Sequence, residues 1–242
     1  MNKPLVSVII PVYNCDKYVQ ESLKSVFNQL FEDYEIIVYE DGTTDNGIGI
    51  VGSTLAKFYD NHFLHIIDPR NRGVFEARSE AIGMSCGKYI SLHDADDISI
   101  YTRLQRQVDF LEEHDDIWCV GSVASKIDID GKSVGLMDYP PEKHKDIKNM
   151  ISNQHRNPMI DPSTMFRRDV FDKLGGYSLK KDRYLVDDFD LWCRSIIGGY
   201  KLYNFQQSLI KYRINPEGNT RKHKDEMIKQ HNIIVKEFRG QC

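Results

Sequence analysis

The chain has little that would anchor it, cross-link it or give it an electrostatic grip on a polyanion. No apolar run approaches the roughly 18 residues that a membrane span needs. The start, Met1 to Val12, has one lysine and a β-branched stretch interrupted at Pro11, which is too short for a signal peptide. The chain is therefore expected to be soluble. Its five cysteines, Cys15, Cys86, Cys119, Cys193 and Cys242, are scattered and form no Cys-x-x-Cys pair. That pattern argues against a zinc site or a disulfide framework and for reduced thiols in the cytoplasm. Blocks of one charge sign are absent: 32 Lys and Arg oppose 36 Asp and Glu, for a net charge of -4, so no nucleic-acid partner is expected. There is no Gly-rich phosphate loop of the Walker or dinucleotide type and no internal repeat.

What is present is an acidic stretch with strands and helices alternating before it. Lys88 to Asp97 reads as a strand, with Tyr89, Ile90 and Leu92 as β-formers and Asp94, Asp96 and Asp97 arriving where the apolar run stops. Side chains alternate along an extended chain, so Asp94 and Asp96 would face one way and Asp97 the other unless a turn begins here. Two ionised carboxylates about 4 Å apart repel by roughly 4 kcal/mol at an effective dielectric near 20, so the cluster needs a proton, a cation or open water. A hard divalent ion, manganese or magnesium, is one answer, since it takes carboxylate oxygens together with substrate phosphates. A solvated acidic turn is the other.

Leu5 to Val12 is a continuous apolar run, as expected of a strand buried on both faces of a parallel sheet. Lys17 to Leu30 then places Tyr18, Val19, Leu23, Val26, Phe27 and Leu30 on one helical face. The alternation repeats with a strand at Glu35 to Tyr39 and a weaker helix at Ile50 to Tyr59, then a strand at Leu64 to Ile67 and a helix at Val74 to Ser85. The expected fold class is α/β with a Rossmann-like, mostly parallel sheet and helices on both faces. Ligands of such sheets bind beyond the carboxyl ends of the strands. There the chain places Tyr13 and Asn14, Glu40 and Asp41, Asn71 to Gly73, and Asp94 to Asp97. An aromatic face for a base, acids for base or ribose, and arginine with a metal for phosphates suit a nucleotide diphosphate. Asp41-Gly42 is equally a turn signal.

In order and spacing these segments resemble the family 2 glycosyltransferases, inverting enzymes with the GT-A fold. Val8 to Asn14 is similar to the family's opening strand and uridine loop, which brings in Pro11, Tyr13 and Asn14. Glu35 to Asp45 is similar to its second strand and turn, with Glu40 in place of the first of two aspartates. Asn71, Gly73, Ala77 and Arg78, then Gly87 to Asp97, resemble its third unit and its metal-binding Asp-x-Asp motif, here Asp94, Ala95, Asp96. The resemblance implies that Asp41 contacts uracil, Arg78 lies near the phosphates, Asp94 meets the ribose and Asp96 the metal, with Asp97 a second metal candidate. Besides Glu40, the chain departs from the family at Ser79, where the family often has Asn, and at Asn215, where many relatives have a histidine.

In the second half, Tyr101 to Glu113 reads as a helix and Trp118 to Val123 as a core strand. Asp130-Gly131 signals a hairpin with a two-residue loop, and a lysine-rich helix is expected between Glu142 and Ile151. Asn153 to Pro162 is an irregular segment suited to shaping an acceptor pocket. Asp187 and Asp188 open an apolar helix. Read by themselves they cap it, worth about 0.3 to 1 kcal/mol; by the resemblance Asp188 is the catalytic base and Asp187 replaces a glutamate. Tyr200 to Tyr203 and Leu209 to Ile214 read as two short strands, and Lys222 to Phe238 as a closing amphipathic helix with His231 packed on its apolar side.

The division expected is 1–124 for the nucleotide-sugar half, 125–220 for the acceptor and base half, and 221–242 for the helix. That helix is expected to pack on the domain, with a homodimer contact or a peripheral contact at the inner face of the membrane left open. The expected activity is metal-dependent transfer from a UDP-sugar or other nucleotide-sugar donor to a saccharide or lipid-linked saccharide, as in surface polysaccharide or glycoconjugate synthesis. A sugar nucleotidyltransferase and a non-catalytic nucleotide-sugar-binding subunit are the alternatives. The missing Gly-rich loop argues against the first, and Asp96 with Asp188 against the second.

Overall fold

A computed structural model describes residues 3–58, 63–178, 180–216, 218 and 222–240. Tyr59, the expected end of the second helix, and Cys242 lie outside the described residues, as do Met1 and Asn2. The first strands are β1 (Val6–Val12), β2 (Tyr34–Asp41), β3 (Phe63–Asp68) and β4 (Tyr89–Leu92). They are joined through α1 (Val19–Phe27), α2 (Gly47–Leu55) and α3 (Val74–Met84). These four strands lie in the order β3-β2-β1-β4 and pair parallel throughout. Every residue of β1 is buried, as its unbroken apolar run requires.

Alternate side chains of the sheet feed two cores. Val8, Ile10, Ile36 and Val38 meet α1 and α2 on one face, while Ile9, Ile37 and Tyr39 meet α3 on the other. The first core also takes Leu104, Val108 and Leu111 of α4 (Arg103–Glu113). Helices thus cover both faces, the arrangement of an α/β layered fold.

Beyond β4 the sheet becomes mixed. The short β5 (Ile98–Ser99), β6 (Ile117–Ile127), β7 (Ser133–Met137), β8 (Met165–Arg167) and β9 (Lys201–Arg213) extend it in the order β4-β8-β6-β9-β5, with β7 on β6. β8 runs antiparallel to both β4 and β6, and β9 runs parallel to β6. One sheet therefore crosses both halves of the chain.

Two local expectations are corrected, and a third, the lysine-rich helix, holds. The hairpin between β6 and β7 closes with Asp128 N donating to Lys132 O at 2.9 Å, so three residues lie between them rather than two. Gly131 takes the left-handed position there, at φ 79°. The two short strands expected near the end are one strand, β9. The polar Gln206 to Ser208 forms a bulge against β6, where Ser208 Oγ accepts from Ser125 N at 2.8 Å. The lysine-rich helix is α5 (His144–Asn149), followed by a wider turn over Met150–Gln154 that ends at His155 in the left-handed region, φ 51°.

The remaining helices are α6 (Arg168–Lys173), α7 (Asp187–Ile197) and α8 (Lys224–Arg239). α8 packs Ile234, Val235 and Phe238 into the second core. Arg183 joins Asp190 of α7 to Glu237 of α8 at 2.8 and 3.0 Å, and His231 stacks on Phe189 with ring centroids 3.9 Å apart. Among the described residues no helix is long and apolar enough to cross a membrane.

Candidate active site

The carboxyl ends of β1 to β4 carry the loops singled out in the sequence. Tyr13 is 46% exposed and presents its ring at the surface. Asn14, at φ 49°, uses its Oδ1 to accept from the amides of Thr44 and Asp45, at 2.8 and 3.3 Å, and so ties the first loop to the second. Asp41 is buried, and its two oxygens accept from Arg72 N and Gly73 N at 2.8 Å each. Burial pushes its carboxyl up, opposed by the Gly73 amide. Gly42 is obligatory beside it: it sits at φ +68°, and a Cβ there would come within 2.6 Å of Asn71 N. Glu40 is fully buried and reaches His65 Nε2 at 3.3 Å.

At the end of β4 the chain turns, with Asp97 N donating to Asp94 O at 3.1 Å, so simple alternation ends here. Asp94 and Asp96 are half-buried, Ala95 is buried between them, and Asp97 is 1% exposed. Asp97 Oδ1 accepts from Arg213 N at 2.8 Å, while its Oδ2 has no hydrogen-bond partner among the described residues. Arg213, the last residue of β9, grips the turn further: Nε donates to Asp96 O at 2.8 Å, and its terminal nitrogens reach Asp128 O and Glu21. Beneath the turn the wholly buried Arg103 donates to Leu92 O at 2.7 Å and to the hydroxyls of Ser91 and Ser99. Burial, with Asp94 adding, raises the Asp96 carboxyl to about 7.

No group of three or more His, Cys, Asp or Glu side chains is arranged to hold a metal ion among the described residues. The turn offers carboxylates only, and a carboxyl forced up by burial beside a second acid is one that a cation would return to its charged form. Such a turn fits manganese or magnesium held by one or two carboxylates, with phosphates completing the shell.

The second half of the site gathers around Arg78 of α3. Its guanidinium is buried, 2.8 Å from Asp94 Oδ1 and 2.6 Å from Asp161 Oδ2. Burial disfavours its charge, but Asp161 and Asp94 outweigh that and keep it protonated. At the start of α7, Asp187 is buried and Asp188 half-buried. Asp188 Oδ2 accepts from Asn157 Nδ2 at 2.6 Å. Burial raises the Asp188 carboxyl, opposed by the helix-terminal amide of Phe189 and by Asn157. Burial, with Asp188 adding and Arg78 opposing, lifts Asp187 to about 7. Arg78 Nε, Asp161 Oδ1, Asp187 Oδ2 and Tyr177 Oη are buried without a hydrogen-bond partner among the described residues. Unpartnered buried polar atoms are rare in folded proteins, and four around one guanidinium leave room for a ligand, an ion or water to complete them.

Asp161 and Asn157 were not legible as site residues. Asp161 did carry a signal, an isolated carboxylate inside the apolar run Met159, Ile160, Asp161, Pro162. All three apolar neighbours are buried, so the acid had to be buried with a partner.

The family model for glycosyl transferase family 2 matches residues 7–175. An uncharacterized glycosyltransferase of Methanocaldococcus jannaschii is 34% identical over 227 residues, covering 90% of this chain and 74% of its own length. An Escherichia coli relative, WfaP, named a UDP-Glc:alpha-D-GlcNAc-diphosphoundecaprenol beta-1,3-glucosyltransferase, is 25% identical and covers 95% of this chain and 85% of its own. Among solved structures, S. aureus TarS 1-349 with UDP-GlcNAc superposes with a TM-score of 0.73 at 17% identity, over 95% of this chain and 65% of that one. The Pyrobaculum calidifontis mannosyltransferase PcManGT, in complex with GDP-Man and Mn2+, gives 0.73 at 16% identity, over 98% and 65%. At those identities the structural matches establish the fold, GT-A, while the family match and the 34% relative establish kinship: the chain belongs to glycosyl transferase family 2 and is a glycosyltransferase.

Proposed function

We propose that the chain moves one sugar from a nucleotide diphosphate donor, a UDP-sugar, to a hydroxyl of a saccharide or lipid-linked saccharide, with inversion at the anomeric carbon. The observation that carries this reading is the placement of Arg78 between Asp94, at the nucleotide end of the sheet, and Asp161 at the side where Asp187 and Asp188 open α7. Tyr13 gives the base an exposed aromatic face, and Asp41 fixes the loop that follows β3. Asp96 is the carboxylate for a manganese or magnesium ion, which when bound offsets charge on the diphosphate. The burial of Asp97 and its bond to Arg213 support a bracing role within the same turn.

An acceptor hydroxyl is a weak nucleophile until its proton is removed. Asp188 accepts that proton as the oxygen attacks: its carboxyl is held by Asn157 and raised by burial, toward the range in which a general base works best near neutral pH. Arg78 stabilises the charge that develops on the departing diphosphate. The names of relatives support the substrate classes: WfaP takes UDP-Glc and a lipid-diphosphate-linked sugar, and TarS was solved with UDP-GlcNAc.

The test is a calorimetric titration of UDP, GDP and CDP into the protein, each with and without manganese. Manganese-dependent binding of UDP alone is expected. Preference for GDP or CDP would redirect the donor assignment, and no binding of any nucleotide with metal present would overturn the reading.

A further inference from the structure

The site just described is acidic: Asp187 and Asp188 lie close enough to Asp161 to add to the rise that burial imposes on its carboxyl, and Asp188 does the same to Asp187. A neutral sugar tolerates that setting, whereas an acceptor that carries phosphate would be repelled unless cations lie beside it. One pocket supplies them. It has a volume of about 410 Å³ and is lined by His155, Asn232, Ile233, Val235, Lys236 and Arg239, with no carboxylate among them.

Two separate routes connect this pocket to Asp188. His155 stands two residues before Asn157, which holds the Asp188 carboxylate at 2.6 Å. Phe189, the residue after Asp188, stacks on His231, the residue before Asn232. Its cations are also uncommitted. Lys236 is exposed and makes no ion pair among the described residues. Arg239 uses Nε on Ser152 O at 3.2 Å, and its terminal nitrogens make no hydrogen bond among the described residues. Glu237, the nearest acid in sequence, is occupied by Arg183 at 3.0 Å. Ile233, 38% exposed, adds an apolar wall.

We propose that this pocket receives the phosphate or diphosphate of a phosphorylated acceptor, with the alkyl chain leaving along Ile233 and the sugar directed toward Asp188. The assignment rests on the acceptor side of the function proposed above. The probe is octyl diphosphate, kept below its micelle concentration and titrated calorimetrically into the full chain in EDTA. Phosphatidylcholine vesicles with and without phosphatidylglycerol, and UDP with manganese, form parallel arms. Octyl diphosphate should bind, inorganic pyrophosphate should compete with it, and Lys236→Glu should weaken it about tenfold. The same variant should keep its melting temperature and its UDP affinity.

Equal octyl diphosphate affinity in Lys236→Glu would overturn the proposal. So would the absence of octyl diphosphate binding together with Lys236-dependent attachment to anionic vesicles, which would make the pocket a lipid-headgroup site. If UDP fails to bind while octyl diphosphate binds through Lys236, the pocket stands and the donor reading falls.

Discussion

Replacing Arg213 with methionine removes the side chain that links the acidic turn to two distant parts of the chain, the start of α1 and the hairpin after β6, while keeping most of its length. The Arg213 side chain is 2% exposed. Its Nε bond to Asp96 O, at 2.8 Å, is charge-assisted and buried, and losing it should cost about 1.5 to 3 kcal/mol. The bonds to Asp128 O and Ile129 O, at 3.0 and 3.4 Å, lie at a hairpin turn that water can reach, so together they add about 1 kcal/mol. Glu21 is 57% exposed, and its ion pair is screened to under about 1 kcal/mol. Contact with the Tyr18 ring at 4.6 Å contributes about 0.5 to 1 kcal/mol. The Arg213→Met variant should thus be less stable by about 3 to 6 kcal/mol, read from urea denaturation followed by tryptophan fluorescence. Because the bonds converge on the Asp96 turn, UDP binding with manganese should weaken as well. A variant with the wild-type urea midpoint and unchanged UDP affinity would show that the turn does not depend on this arginine.

Two further predictions concern α7. Asp188→Asn should lower turnover about 100- to 10,000-fold, the worth of a positioned base, while UDP binding changes little; steady-state release of UDP measures the first and calorimetry the second, and a native rate would remove Asp188 from the base role. Asp187 rises from 3.8 to about 7 in the folded chain, so between these values the folded state keeps a proton that the unfolded state has lost. Its contribution is present below about pH 4 and is lost as pH rises to about 7, so stability from this group falls with pH. In thermal melts from pH 4 to 8, Asp187→Asn should flatten that decline, and parallel curves for both proteins would refute the assignment.

The legible parts of the chain were those set by local pattern. The unbroken apolar run of β1 announced a strand buried on both sides, and the 3.6-residue stripe in α1 named its buried face. The carboxyl-end loops followed from the alternation, and Arg78 from the family resemblance. Illegible parts depend on pairings far along the chain. Asp161 meets Arg78, and Arg213 meets Asp97, through a sheet whose strand order departs from chain order. Gln206 to Ser208 looked like a break between strands because a bulge is polar by necessity, and only its register against β6 shows that the strand continues. The early turn after β4 was left open in the sequence for a similar reason: Arg103 and Arg213 stabilise it from other elements.

The shared guanidinium of Arg78 has a thermodynamic consequence. One cation divided between Asp94 and Asp161 cannot serve a third anion without loosening its hold on at least one of them. A diphosphate that draws on Arg78 therefore leaves Asp161 less compensated and favours its proton, and with it the balance of charge around Asp187 and Asp188. Linkage is reciprocal, so the factor by which a bound diphosphate would raise the proton affinity of those acids is the factor by which their protonation would raise the affinity for the diphosphate. The two ends of the crevice are thus coupled through one shared positive charge rather than through any moving element.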